Sequence, residues 1–203
     1  MKLYMTPGSP YARIARIVVL EKGLADRVEI IPVQTRVANS PYYTINPSGR
    51  VPYLVRGDGI GYEESAVICA YLDHLDSNPV FDLPAGDPAW DARRLEALAR
   101  SMLDGFAVWC REIRRPHTEQ SPTILRHEAD RSRRMLDLWE REIDHPLLHG
   151  TLNLAQITLA CGLGFAALIP ELHWRPEHPK LCAWFDRIAA RPSIAATAPP
   201  GGH

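Results

Sequence analysis

The apolar and polar positions of the first seventy-odd residues change period several times. Lys2–Met5 is a short apolar run with the length of a buried strand. A helical pattern follows from Pro10 to about Lys22: Ile14, Ile17 and Val18 share a face, and Arg13, Arg16 and Glu21 lie on others. Ser9 and Pro10 have the residue types of an N-cap and first helical position, and Gly23 supplies the stop. "RVEIIPV" alternates charged and apolar residues before Pro32, which places a second strand near a sheet edge. "ANSPYYTINPSGR" is turn-rich, with room for a helical turn around Tyr42–Ile45. "VPYLV", "GDG" and "IGYEE" then read as strand, hairpin turn and strand. From Ser65, "SAVICAYLDHL" is a helix, apolar over most of its surface. The order β-α-β-(α)-β-β-α predicts a mixed four-stranded sheet with helices on its faces.

The texture changes at "DSNPVFDLPAGDP", which is dense in Pro, Asp, Asn and Gly and reads as a linker over residues 77–88. It separates an α/β domain, residues 1–76, from an all-helical domain, residues 89–203. The second domain opens with a long helix, "AWDARRLEALARSMLDGFAVWCREIRR", which has a possible bend at Gly105 and must stop before Pro116. Next comes an amphipathic helix through Ile124, Met135, Leu138 and Trp139. "NLAQITLACGLGFAALI" is apolar almost all round, the mark of a buried central helix, and Asn153 with Gln156 has the spacing of a capping box. A last helix carries Leu181, Trp184, Phe185 and Ile188 on one side.

Charge narrows the functions. Lys plus Arg number 23 against 24 Asp plus Glu, for a net charge of −1. Arg-rich runs such as "RHEADRSRR" are diluted by acids, so they read as solvated helix faces, and no phosphate-tracking surface for nucleic acid is expected. No apolar run reaches the roughly 20 residues of a membrane span, and "MKLYM" is too short for a signal peptide. Cys69, Cys110, Cys161 and Cys182 are far apart, without zinc-like or C-x-x-C spacing, so reduced thiols in a cytoplasmic protein without a metal are expected. His203, alone in the tail "APPGGH", is no metal signal.

Three features fall at loop-to-element junctions of the first domain, where sites concentrate. Ser9 stands at a helix N-terminus, where exposed amides carry about half a positive charge and favour an anion. Its hydroxyl can accept from the helix and donate outward. The Val51-Pro52 step in "SGRVPYL" is a candidate cis peptide, a geometry that turns the Val51 N–H and C=O sideways toward an extended peptide. In "YEESAVI", Ser65 can cap its helix while the first amides take a carboxylate, and Glu64 offers a partner for an ammonium. A small peptide with a γ-linked glutamate at one end and a central cysteine satisfies all three. Ser9 and Ser65 as plain caps satisfy the same residues.

The succession "SPYARIARIVVLEKG…NPSGRVPYL…YEESAVICAYLD" resembles the thioredoxin-fold domain of the cytosolic glutathione S-transferases. "TLNLAQITLACGLGF" resembles the buried helix of that family's helical domain, with Asn153 and Gln156 where the family has Ser and Asp. The tail "HPKLCAWFDRIAARPS" is similar to a bacterial subgroup. The resemblance covers nearly the whole chain. It implies a thioredoxin-like domain followed by a helical bundle, glutathione as co-substrate, a small hydrophobic electrophile as second substrate, and a homodimer. Residue by residue, it implies Ser9 at the thiol, with Tyr4 and Tyr11 as rival donors. It implies Val51 as the backbone contact before a cis Pro52, Glu64 and Ser65 at the glutamyl end, and Arg50 near the glycine carboxylate. Asp104, Trp109 and Arg111 are candidates to line the electrophile pocket. Gly8-Ser9-Pro10-Tyr11 has no cysteine, which argues against thiol-disulfide exchange, and the "SSCS" pattern of the zeta-class isomerases is absent. A non-catalytic binding or regulatory protein of the same fold, and a glutathione-dependent dehalogenase, isomerase or peroxidase, are the alternatives.

Overall fold

The computed structural model describes residues 1–81 and 86–199. They divide into two compact units, residues 1–81 with 196–199 and residues 86–195. The four residues 82–85 of the expected linker, and His203, lie outside the described residues.

In the first unit the chain runs β1 (Lys2–Met5), α1 (Pro10–Glu21), β2 (Glu29–Pro32), a 3-10 turn (Pro41–Thr44), β3 (Tyr53–Val55), β4 (Gly61–Glu63) and α2 (Ser65–Asp73). The four strands are ordered β2-β1-β3-β4. β1 is parallel to β2, with Leu3 opposite Ile30, and antiparallel to β3, with Leu3 opposite Leu54. This is the expected mixed sheet, with β2 and its Pro32 on an edge. Leu3, Ile14, Ile17, Val18, Leu54, Ile68 and Leu72 are wholly buried and form the core beneath α1 and α2. The hairpin turn has three loop residues: Gly59 N–H donates to Arg56 O, Arg56 N–H to Ile60 O, and Gly59 takes φ +86°. The Asp-Gly pair therefore ends a turn with a bulge instead of making a two-residue loop.

Both helices have defined C-terminal ends. Gly23, at φ +62°, closes α1: Leu24 N–H donates to Val19 O at 2.8 Å and Gly23 N–H to Leu20 O at 3.1 Å. Lys22 Nζ lies 3.4 Å from Oδ1 of the buried Asp73 at the end of α2, 3.0 Å from Asp76 Oδ1, and donates to Asn78 O at 2.7 Å. Asp73 also accepts from Val80 N–H and Phe81 N–H, each at 2.9 Å. The start of the expected linker is thus pinned to α2. In segment 196–199, Thr197 Oγ1 accepts from the buried Arg13 of α1 at 3.4 Å.

The second unit is helical throughout its described residues: α3 (Asp87–Ile113), α4 (Pro122–Glu142), α5 (Leu154–Ala166), α6 (Pro179–Ala189) and α7 (Pro192–Ala195), with 3-10 turns between. α3 is one helix through Gly105, where a Cβ would meet the end of the Glu128 side chain of α4, Oε2, at 2.9 Å. α4 buries Ser132, Leu136 and Trp139; Ile124, expected on the buried face, is 39% exposed. α5 is buried on nearly every side, as expected. Only half of its capping box forms. Asn153 Oδ1 accepts from Gln156 N–H at 3.1 Å, but Gln156 Nε2 donates to Leu147 O at 3.0 Å, as Asn153 Nδ2 does at 2.7 Å. Both amide groups donate to an upstream carbonyl, a bond that an ionised glutamate at position 156 could not make. The N-terminus of α6 is capped from α4, where Glu140 accepts from Lys180 N–H at 3.0 Å and Leu181 N–H at 2.9 Å.

Candidate functional site

The candidate residues of the first unit lie at the starts of α1 and α2 and in the loop before β3. Ser9 is the N-cap of α1, with extended backbone (φ −79°, ψ 116°), and its Oγ accepts from Ala12 N–H at 3.2 Å. Its own N–H donates to Thr6 O at 3.0 Å, and Pro10 follows at the first helical position, where no N–H is needed. A hydroxyl that accepts one hydrogen bond still holds a proton to donate. Tyr4 is buried in β1, its ring 5.9 Å from that of Tyr42. Tyr11 is half-buried on α1.

The loop from Asn46 to Val51 is held by side chains that the sequence reading did not single out. Asn46 Oδ1 accepts from Ser48 N–H at 3.2 Å, making an Asx turn. The Arg50 carbonyl accepts from Asn46 Nδ2 at 3.1 Å and from the Tyr42 hydroxyl, and Arg50 N–H donates to Ser48 Oγ at 3.2 Å. Burial pushes the Tyr42 phenol above its ordinary pKa, so it stays a donor to that carbonyl. Gly49 sits at φ +67°, and a Cβ there would meet Tyr43 Cε1 at 2.8 Å, so only glycine fits. The Asn-Pro dipeptide was the sequence signal for this turn. The Val51-Pro52 bond is cis, Pro52 is buried, and Val51 is half-buried just before β3.

At the start of α2 the structure corrects one assignment. Ser65 is not the cap; it is the first helical residue, 1% exposed. Glu64 is the N-cap, because its carbonyl already accepts the helical bond from Ile68 N–H at 3.0 Å, and it makes no side-chain cap. Its φ of +70° is a left-handed value that costs an L-residue roughly 1–3 kcal/mol. The Glu64 carboxylate faces outward and pairs with Arg50 Nη1 at 3.3 Å. Next to it, Glu63 Oε2 accepts from Ser48 Oγ at 2.7 Å. Two contacts therefore join the loop before β3 to the β4–α2 junction. Arg50, Val51, Glu64 and Ser65 fall in these two linked segments, and Ser9 begins the helix after β1, which lies beside β3 in the sheet.

In the second unit, Asp104, Trp109 and Arg111 share α3 and do not share an environment. Trp109 is buried, whereas Asp104 and Arg111 are exposed. Cys69, Cys110 and Cys161 are buried, Cys182 is half-buried, and none of the four is in a disulfide. Burial raises the Cys110 pKa above its ordinary value, against the pull of Arg114 and Arg111. Among the described residues no helix is long and apolar enough to cross a membrane.

Residues 3–80 match the model of the glutathione S-transferase N-terminal domain and residues 122–187 that of the glutathione S-transferase C-terminal domain. The chain is 34% identical to the uncharacterized GST-like protein YibF of Escherichia coli K12, over 98% of this chain and 99% of that one. Among solved structures it is similar to a glutathione transferase family member from Pseudomonas fluorescens Pf-5. The form with bound S-(propanoic acid)-glutathione has a TM-score of 0.87 and 33% identity, covering 98% of this chain and 100% of that one. The form with bound glutathione has a TM-score of 0.88 and 32% identity, covering 98% of both chains. The chain belongs to the glutathione S-transferase family.

Proposed function

We propose that the first unit binds glutathione and that the protein joins glutathione, through its thiolate sulfur, to a small electrophile. The observation that carries this reading is the linkage of the Arg50–Val51 loop to Glu64–Ser65 by the Ser48–Glu63 and Arg50–Glu64 contacts, in a unit whose first helix opens on Ser9. Glutathione bound in the related Pseudomonas fluorescens structures supports it.

In this reading Glu64 and Ser65 hold the glutamyl end, the Val51 backbone holds the cysteinyl peptide, and the sulfur lies at the start of α1. A thiol of pKa about 8.5 is only a few per cent ionised at neutral pH. The Ser9 O–H and the positive end of α1 stabilise the anion, and each unit of lowered thiol pKa corresponds to about 1.4 kcal/mol. The thiolate sulfur forms a bond to an electrophilic carbon, and the displaced electron pair leaves with the leaving group or takes up a proton. The protein works as a cytoplasmic homodimer, with no metal.

Thermal unfolding with millimolar glutathione, followed by turnover with a panel of electrophiles, tests this. Glutathione raises the melting temperature by mass action, and at least one electrophile is consumed with it. Absence of any shift refutes the ligand; a shift without turnover leaves a glutathione-binding protein that does not conjugate.

A further inference from the structure

We infer that His178 is held as a buried imidazolium, and that its second ring proton makes the joint between α4 and α6 sensitive to pH. The inference concerns the second unit and does not depend on the glutathione reading.

His178 follows the 3-10 turn Arg175–Glu177 and is the N-cap of α6. It is 3% exposed, and both ring nitrogens face oxygens: Nδ1 lies 2.7 Å from Trp174 O, and Nε2 lies 3.0 Å from Oδ1 of Asp137 on α4. A carbonyl oxygen and a carboxylate oxygen can only accept. A neutral imidazole has one N–H and one lone pair, so it satisfies one of these oxygens and sets its lone pair against the other. Only the doubly protonated ring donates to both.

The surroundings supply the charge that such a ring needs. Burial and the positive end of α6 both disfavour a cation at this N-cap. Against them α4 presents Asp137, Glu140 and Asp144, spaced i, i+3, i+7 on one face. Glu140 accepts from Lys180 N–H and Leu181 N–H, and Asp144 pairs with Lys180 Nζ at 2.6 Å. In the turn, Arg175 pairs with Asp186 at 2.7 Å and Glu177 is exposed. Arg134 and Arg141, about a turn to either side of Asp137, are exposed as well. The Asp137 side chain is 51% exposed. When the ring loses its second proton, that carboxylate can turn to water, and one of the ties between α4 and α6 opens.

The test uses the whole chain. Asp137→Asn puts an amide beside Nε2. Its N–H donates to the lone pair of a neutral ring, so the joint no longer needs the proton. Nitrogen NMR of the histidine rings at pH 7 reads the protonation state, and the signal displaced by Asp137→Asn is that of His178. The expected result is two N–H nitrogens in wild type and one in the variant. Urea unfolding of both proteins from pH 8 to pH 5 reads the linkage. A proton held more tightly by the folded than by the unfolded chain stabilises at low pH, and that contribution is lost as pH rises. The unfolding constant of the variant relative to wild type should therefore grow as pH falls, by up to about tenfold per unit. The inference is overturned by a wild-type His178 with one unprotonated nitrogen, by no ring signal moving in the variant, or by a ratio that does not change with pH. If Asp137→Asn does not fold, the signal missing from His178→Gln identifies the ring, and the wild-type spectrum decides.

Discussion

The two helices of the first unit begin in opposite ways. α1 opens as local preference dictates: serine caps, proline takes the first helical position, and the backbone enters in an ordinary extended conformation. α2 opens against local preference. Its N-cap is a glutamate with φ +70° and no side-chain cap, and the serine that local rules would make the cap is buried one residue later. A residue held at an unfavourable φ persists where its surroundings over-determine it, and such positions concentrate at ligand sites. Here those surroundings are Arg50, paired to the Glu64 carboxylate, and Ser48, bonded to Glu63. In the proposed reading, stability and function share one hydroxyl at α1 and are opposed at α2.

The sharpest way to break the comparison is Ser9→Ala. A plain cap loses about 1 kcal/mol of stability and nothing else. A hydroxyl that also stabilises a thiolate loses more: the pKa of bound glutathione, read from thiolate absorbance against pH, rises by a unit or more. Turnover at neutral pH then falls roughly tenfold or further, because one pKa unit is a factor of ten in thiolate fraction. Glutathione still binds, through Val51, Glu64 and Ser65. If pKa and rate both match wild type, the donor moves to Tyr11, to Tyr4 or to a backbone amide of α1.

Ser65→Ala probes the other start. Loss of a charge-assisted contact to the glutamyl end weakens glutathione by about 1–3 kcal/mol, on the order of tenfold, with the pKa of the bound thiol unchanged. A variant whose thiol pKa shifts instead would mean that the two helix starts do not divide the ligand as described.

Glu64→Gly separates strain from binding. Glycine adopts φ +70° without a Cβ penalty, so the unliganded protein gains on the order of 1 kcal/mol while losing affinity for glutathione. Denaturant unfolding measures the first and calorimetry the second. A loss of stability would place the cost of the α2 start elsewhere than at this residue.

The same contrast explains what the sequence made legible. α1, the four strands and the buried α5 follow from apolar periodicity and from Ser, Pro and Gly at their preferred positions, all short-range signals. Ser9, Val51-Pro52 and "ESAVI" were found as local motifs, and the expected cis bond is present. Glu64 as N-cap was not legible, because glutamate is neither a preferred cap nor a residue suited to positive φ. Its partner Arg50 is 14 positions away, and Ser48 is 15 from Glu63, distances over which local spacing carries no information. Nothing in the residues around Lys22 marks a partner for it either. Its Nζ is enclosed by Asp73, Asp76 and the Asn78 carbonyl only because α2 ends beside α1.

That junction gives the smallest effect and the cleanest control. If the helix starts carry the ligand, the joined C-terminal ends should affect stability alone. Burial by itself would lower the Lys22 pKa, but the hydrogen bonds to Asp76 and Asp73 raise it above its ordinary value, so Lys22 stays charged through neutral pH. The Lys22 hydrogen bond, with help from Asn78 N–H, holds Asp76 below the ordinary aspartate value of 3.8. A carboxyl with a depressed pKa in the folded state stabilises above its unfolded pKa, and that contribution disappears as pH falls through the folded value. Asp76→Asn should therefore lower the melting temperature slightly at neutral pH. The gap from wild type should close as pH falls below 3.8, because both proteins then carry a neutral side chain there. Because the pair is exposed on the Asp76 side, added salt should narrow the gap at neutral pH as well. Glutathione affinity and bound-thiol pKa should equal those of wild type throughout. A change in either would show that the C-terminal ends of α1 and α2 also set the geometry at their starts, and would end the division of roles between the two ends of these helices.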